Sequence, residues 1–155
     1  MDLGTVLAFA GVASAVVFSG FGSAMGVGIA GQVSAGVVAE DPGKVGKTII
    51  LTALPGTQGI YGFVIGMLIV LFKLPAFHGA VPLDAGLKFF LAGIPVGLVG
   101  LVSGIWQGKV AAAGVGMVGK RPEEASKGIV YAGMVETYAI LSFVISFILV
   151  NSITP

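Results

Sequence analysis

The run Gly133-Met134-Val135-Glu136-Thr137-Tyr138 sits inside an apolar segment spanning residues 125–151, where Lys127 and Glu136 are the only charged side chains. The segment exceeds the ~20 residues a helix needs to cross hydrocarbon. Three more apolar segments, over residues 5–39, 45–72 and 85–119, are as long or longer. In lipid every backbone polar group must be satisfied internally, which restricts spanning structures to helices and closed barrels. Four helix-length segments therefore predict an all-α membrane protein with four transmembrane helices. The first and third are long enough to tilt or to project beyond the bilayer.

Composition agrees. Of 155 residues, 56% are hydrophobic and only 10% are charged, against roughly 25% charged in soluble domains. Too little charge remains for a water-facing surface, so lipid is the expected neighbour of most of the exterior. A net charge of +1 supplies no basic field for a nucleic-acid partner. Cysteine is absent, which excludes disulfides, thiolate metal sites and cysteine nucleophiles. The first apolar segment has no basic residue before it, so it reads as part of the mature protein and not as a cleaved signal.

Glu40 to Lys44, Lys73 to Asp84 and Lys120 to Glu124 separate the spans, each with proline to stop helix propagation. The first and third connections and their flanks carry Lys44, Lys47, Lys120, Arg121 and Lys127, whereas the opposite side has Lys73 and Lys88. The positive-inside bias puts residues 40–44 and 120–124 in the cytoplasm and both termini outside.

Sliding the chain by 80 residues superposes its halves without a gap. Ser23 falls on Ser103, Gly28 on Gly108, Gly36 on Gly116, Pro42 on Pro122, Lys47 on Lys127 and Thr57 on Thr137. Phe63-Val64-Ile65 falls on Phe143-Val144-Ile145. Such self-similarity marks a repeated structural unit, and both copies cross in the same direction, a parallel repeat. The expected organisation is a single membrane domain over residues 1–155, built from a first hairpin (1–73) and a second hairpin (85–155). Glu136 falls on Gly56, so only the second hairpin has a carboxylate within its apolar spans.

Glu136 lies about 14 residues past Pro122, roughly 20 Å along a helix and close to mid-bilayer. An unpaired charge there costs at least ~2.5–3.5 kcal/mol, so the group must be protonated, paired or bound to a cation. The plain alternative is a protonated glutamic acid that only packs helices. Gln107 lies about 13 residues before Lys120, and Thr57 and Gln58 about 15 residues after Pro42, matching Glu136 in depth. Each amide or hydroxyl alone is ordinary interhelical glue; their shared depth makes a ligand role the competing reading. Pro55 frees the Leu51 carbonyl and loosens the backbone at Leu54. A carboxylate suffices for H⁺, whereas added amides and a hydroxyl favour Na⁺, a hard cation that takes oxygen. Tyr61, one turn after Thr57, is placed to donate its hydroxyl to Glu136.

Gly20, Gly22, Gly26, Gly28, Gly31 and Gly36 line the first span, and Gly22/Gly26 and Gly104/Gly108 have the four-residue spacing of close helix contact. Small residues on the first and third spans suggest that these crowd on a tightly curved inner surface, with the second and fourth facing outward. A ring of copies meets that requirement. Gly26-Val27-Gly28-Ile29-Ala30-Gly31 also fits GxGxxG, but no strand precedes it and no βαβ unit surrounds it, so it is not a nucleotide site. Lys109 is read as snorkelling toward the cytoplasmic side or a polar interior, and His78 as a solvated loop residue.

Leu54-Pro55-Gly56-Thr57-Gln58-Gly59-Ile60-Tyr61-Gly62, Gln107-Gly108-Lys109-Val110-Ala111-Ala112-Ala113-Gly114 and Met134-Val135-Glu136-Thr137-Tyr138-Ala139 resemble the proteolipid K (c-type) subunit of rotary V-type and A-type ATPases, especially bacterial sodium-translocating members. The resemblance covers nearly the whole chain. It implies a homo-oligomeric rotor ring, with Glu136 as the ion-carrying carboxylate. It implies Thr57, Gln58, Gln107 and the main-chain carbonyl of Leu54 as further Na⁺ ligands, and a Tyr61 hydrogen bond to Glu136 that holds the site shut. It also implies a stator membrane subunit with a basic residue, a central-stalk subunit on the cytoplasmic loops, lipid contact and no catalytic residue in this chain. The same ring carrying H⁺ is the alternative. A small multidrug or cation antiporter is a further reading, but such proteins carry their carboxylate in the first helix, where this chain has none. A structural or channel-forming proteolipid without a bound ion is the last.

Overall fold

The computed structural model describes residues 2–155. Four helices, each long and apolar enough to cross a membrane, follow one another: α1 (Leu3–Glu40), α2 (Pro42–Phe77), α3 (Leu83–Lys120) and α4 (Pro122–Ser152). No strand occurs among the described residues. Asp2 caps α1, accepting the Thr5 amide at 2.9 Å. The Thr5 amide, then its hydroxyl, hold the Asp2 carboxyl below its usual range.

The connections are shorter than expected. Pro42 and Pro122 do not sit in open loops; each opens a 3₁₀ turn that leads into the next helix. Proline is tolerated in a first helical turn, where its missing N–H has no partner to lose. The stretch from Lys73 to Asp84, expected as a loop, is helical through Phe77 and again from Leu83. Its irregular part turns at His78, with φ 50°, and Gly79, with φ 152°.

α2 is a composite. Its α-helix breaks into a 3₁₀ turn at Leu54–Gly56 and resumes over Thr57–Met67. A π-turn at Leu68–Lys73 follows. The break coincides with Pro55, as its missing donor requires. α3 also contains a proline, Pro95, but stays helical through it. The next residue, Val96, donates its amide to the buried Ser146 hydroxyl of α4 at 3.1 Å.

α1 and α3 run side by side in the same direction, backbone against backbone. Gly4 meets Val81 and Pro82, Gly11 meets Phe89, Gly22 meets Gly100, and Gly26 meets Gly104. A Cβ built on Gly26 would lie 2.2 Å from the Gly104 carbonyl oxygen, and one on Gly108 2.4 Å from the Gly26 Cα. Only hydrogen fits there, so the glycines are a packing requirement. α2 closes on α1 through Gly62, whose added Cβ would meet Ser19 Oγ and the Ala15 carbonyl. α4 closes on α3 where Gly128 faces Gly114. The small residues of the first and third spans thus form the central seam, and Phe21, Ile60, Phe72, Leu141 and Ile148 point outward.

Two apolar clusters fill the interior. One gathers Ala8, Ala15, Ile65, Ile69, Phe89, Val96 and Val150; the other gathers Ala30, Leu51, Ala111, Val115, Val118 and Ala132. Between them lies a polar layer. At the helix ends, lysines donate to carbonyls of other elements, two of them in C-terminal turns whose last carbonyls have no partner in their own helix. Lys44 Nζ donates to Gly119 O at 2.8 Å, Lys47 Nζ to Pro122 O at 3.0 Å, and Lys73 Nζ to Asn151 O at 3.1 Å.

Gly104→Val is expected to force α1 and α3 apart and cost at least the ~1–3 kcal/mol typical of overpacking. Gly116→Val, where an added Cβ meets nothing within 4 Å, is expected to be far milder. Thermal unfolding of the two variants in detergent checks the contrast.

Candidate ion-binding site

The polar layer is built from three helices. Gln58, just past the 3₁₀ break of α2, and Gln107 on α3 are both fully buried. Gln58 Nε2 donates to Gln107 Oε1, and Gln107 Nε2 donates to Glu136 Oε2 at 3.2 Å. Tyr61 reaches the other carboxylate oxygen, donating from its hydroxyl to Glu136 Oε1 at 2.6 Å. Its ring packs on Phe143, with centroids 5.4 Å apart, which limits the directions the hydroxyl can take. Glu136 itself is half-buried.

A second group of oxygens lies beside this chain of amides. Thr57 Oγ1 donates to the Leu54 carbonyl at 3.0 Å and stands 3.5 Å from Gln58 Oε1. The Thr57 amide also turns back to the Leu54 carbonyl, closing the 3₁₀ turn. The proline break therefore gathers a backbone carbonyl, a hydroxyl and an amide oxygen on one side of the layer.

Glu136, Gln107, Gln58, Thr57, Tyr61 and Leu54, the residues singled out in the sequence, thus lie in one connected region. Lys109 is not part of it. Its ammonium lies over the Trp106 ring, 4.1 Å from the centroid, a cation–π contact one turn back on α3. His78 stands at the turn after α2, away from the layer.

Two contributors escape a reading of the sequence. Ser103 Oγ accepts Gln58 Nε2 at 3.2 Å and donates to the Val135 carbonyl at 3.1 Å. Its position one turn before Gln107 is the one signal that points to it. Phe143, two turns past Glu136, supports the Tyr61 ring.

Among the described residues the ion pairs lie near helix ends, joining Lys44 to Asp41, Lys88 to Asp84 and Lys127 to Glu124. None includes Glu136, which receives two neutral donors. A charge on Glu136 needs a counter-charge in hydrocarbon. The layer holds one acid and otherwise neutral oxygens, a donor set with charge for one monovalent cation or proton.

A family model for the ATP synthase C subunit matches residues 10–69 and 90–149, two tandem copies 80 residues apart. The chain is similar to the V-type sodium ATPase subunit K of Enterococcus hirae, with 52% identity over 147 residues, 95% of this chain and 92% of the relative. It is similar to the A-type ATP synthase subunit K of Methanocaldococcus jannaschii, with 41% identity over 144 residues, 93% of this chain and 61% of the relative. The 16 kDa proteolipid of the V-type proton ATPase of Nephrops norvegicus is 34% identical over 127 residues, 81% of this chain and 74% of the relative.

Tyr61→Phe keeps the ring on Phe143 and removes one of the two donors to Glu136. Stability is expected to fall by no more than about 1 kcal/mol, the scale of hydrogen bonds inside membranes. Glu136 is expected to react with a hydrophobic carbodiimide several-fold faster, by quantitative mass spectrometry of the modified peptide.

Proposed function

Because the chain belongs to the ATP synthase C-subunit family, we propose that Glu136 is the carboxylate on which it carries Na⁺ across the membrane as one copy of a rotor ring. As a member of that family it is a non-catalytic, ion-carrying subunit of a rotary ATPase, with nucleotide chemistry on other subunits. We read residues 1–73 and 85–155 as two hairpins of one membrane domain, with the single mid-membrane carboxylate in the second.

In this reading Na⁺ takes Glu136 with Thr57 Oγ1, Gln58 Oε1, Gln107 Oε1 and the Leu54 carbonyl. Gln107 Oε1 keeps its bond from Gln58 on one lone pair and offers the other to the ion, and Tyr61 continues to hold the carboxylate. A bound cation cancels the charge, and the neutral site can then face lipid as the ring turns. At the stator, a basic residue of another subunit displaces the ion into an aqueous path. Each Na⁺ moved against the membrane potential represents about 2.3 kcal/mol per 100 mV. One carboxylate per four helices carries fewer ions per turn than two would, which suits pumping against steep gradients. The turns at 40–44 and 120–124 face the cytoplasm and meet the central stalk, with both termini outside.

The observation that carries the proposal is the single carboxylate set among three neutral oxygen donors and two hydrogen-bond donors between apolar clusters. A relative named as a sodium ATPase subunit supports Na⁺ over H⁺. The antiporter reading loses its ground with the family assignment.

Carbodiimide labelling of Glu136 in detergent-purified protein tests the proposal. Sodium is expected to protect the residue in a saturable way, and potassium at the same ionic strength is not. Labelling that proceeds equally with and without sodium rejects Na⁺ as the cargo and leaves the proton.

A further inference from the structure

Ser103 is 5% exposed, and its hydroxyl behaves unlike most others in this chain. Ser14, Ser19, Thr52, Thr57 and Ser142 donate to carbonyls three or four residues back in their own helices, as hydroxyls in helices usually do. Ser103 donates across to α4, to the Val135 carbonyl next to Glu136, and accepts Gln58 Nε2 from α2. Its image in the first hairpin, Ser23, accepts the Gly59 amide instead.

A serine hydroxyl has one proton. A carbonyl can only accept, so that proton is committed to Val135. Toward Gln58 the hydroxyl is then an acceptor, and the Gln58 atom opposite it must be nitrogen. The two ends of an amide are nearly the same shape, so a hydrogen-bond partner of fixed polarity is what distinguishes them. Gln58 nitrogen also reaches Gln107 Oε1, which leaves the Gln107 nitrogen for Glu136.

We propose that Ser103 is a positioning residue of the ion site: its bond to the Val135 carbonyl sets the direction of the whole Ser103–Gln58–Gln107–Glu136 relay. In that direction Gln58 turns its oxygen toward Thr57 and the Leu54 carbonyl, completing the oxygen cluster. Without Ser103 both amides are free to reverse, and Gln58 then turns nitrogen toward that cluster. Ser103 thereby keeps an oxygen where the cation needs one.

The proposal rests on Glu136 being the ion-carrying group. It is tested on the purified full-length protein with Ser103→Ala and Ser103→Thr. The alanine variant is expected to need about tenfold more sodium for half-protection of Glu136 from carbodiimide, the effect of losing one hydrogen bond. Ser103→Thr keeps the hydroxyl and is expected to bring half-protection back toward wild type. If the alanine variant fails to assemble, Ser103→Cys, similar in size with a weaker donor, carries the same comparison. An unchanged half-protection in the alanine variant overturns the proposal, as does a threonine variant as impaired as alanine. If sodium fails to protect even the wild-type chain, the sodium reading falls, and the proposal with it.

Discussion

A carboxylate surrounded by hydrocarbon is the constraint that shapes this molecule. At mid-bilayer its charge costs at least ~2.5–3.5 kcal/mol, and the chain supplies no cationic partner for Glu136 among the described residues. Instead it supplies two neutral donors, Tyr61 and Gln107. In the proposed function the counter-charge comes from an ion that arrives and leaves, where a built-in lysine would leave a fixed ion pair with nothing to carry. Lys109, two residues from Gln107, is stacked on Trp106.

The rest of the fold holds that arrangement. The polar layer needs α2, α3 and α4 within hydrogen-bonding reach: the glycine seam joins α3 to α1, Gly62 closes α2 on α1, and Gly128 brings α4 onto Gly114 of α3. The 3₁₀ break at Pro55 turns the Leu54 carbonyl and Thr57 hydroxyl to one side. The apolar clusters above and below keep competing polar groups away. Lysines at the helix ends bind carbonyls across elements and tie the hairpins to each other.

The four spans, the 80-residue repeat and the depth of Glu136 are legible in the sequence, since each depends on spacing along one helix. The grouping of Thr57, Gln58, Tyr61 and Gln107 is legible for the same reason, with depth standing in for distance. Ser103 is not, because a serine in a membrane helix normally bonds its own backbone and nothing local says when it reaches across. The bond from Val96 to Ser146 after Pro95 is hidden likewise, as is the Phe143 support of Tyr61. The overlong connections have a different cause. Proline reads as a stop at Pro42, Pro75 and Pro122, although it is also a comfortable first-turn residue.

Equilibrium binding of ²²Na⁺ to the purified protein addresses the central claim most directly. Saturable binding of one ion per chain, lost in Glu136→Gln while that variant keeps its helical content, is the expected result. Undiminished sodium binding by the Glu136→Gln protein would contradict the assignment of this carboxylate as the ion carrier.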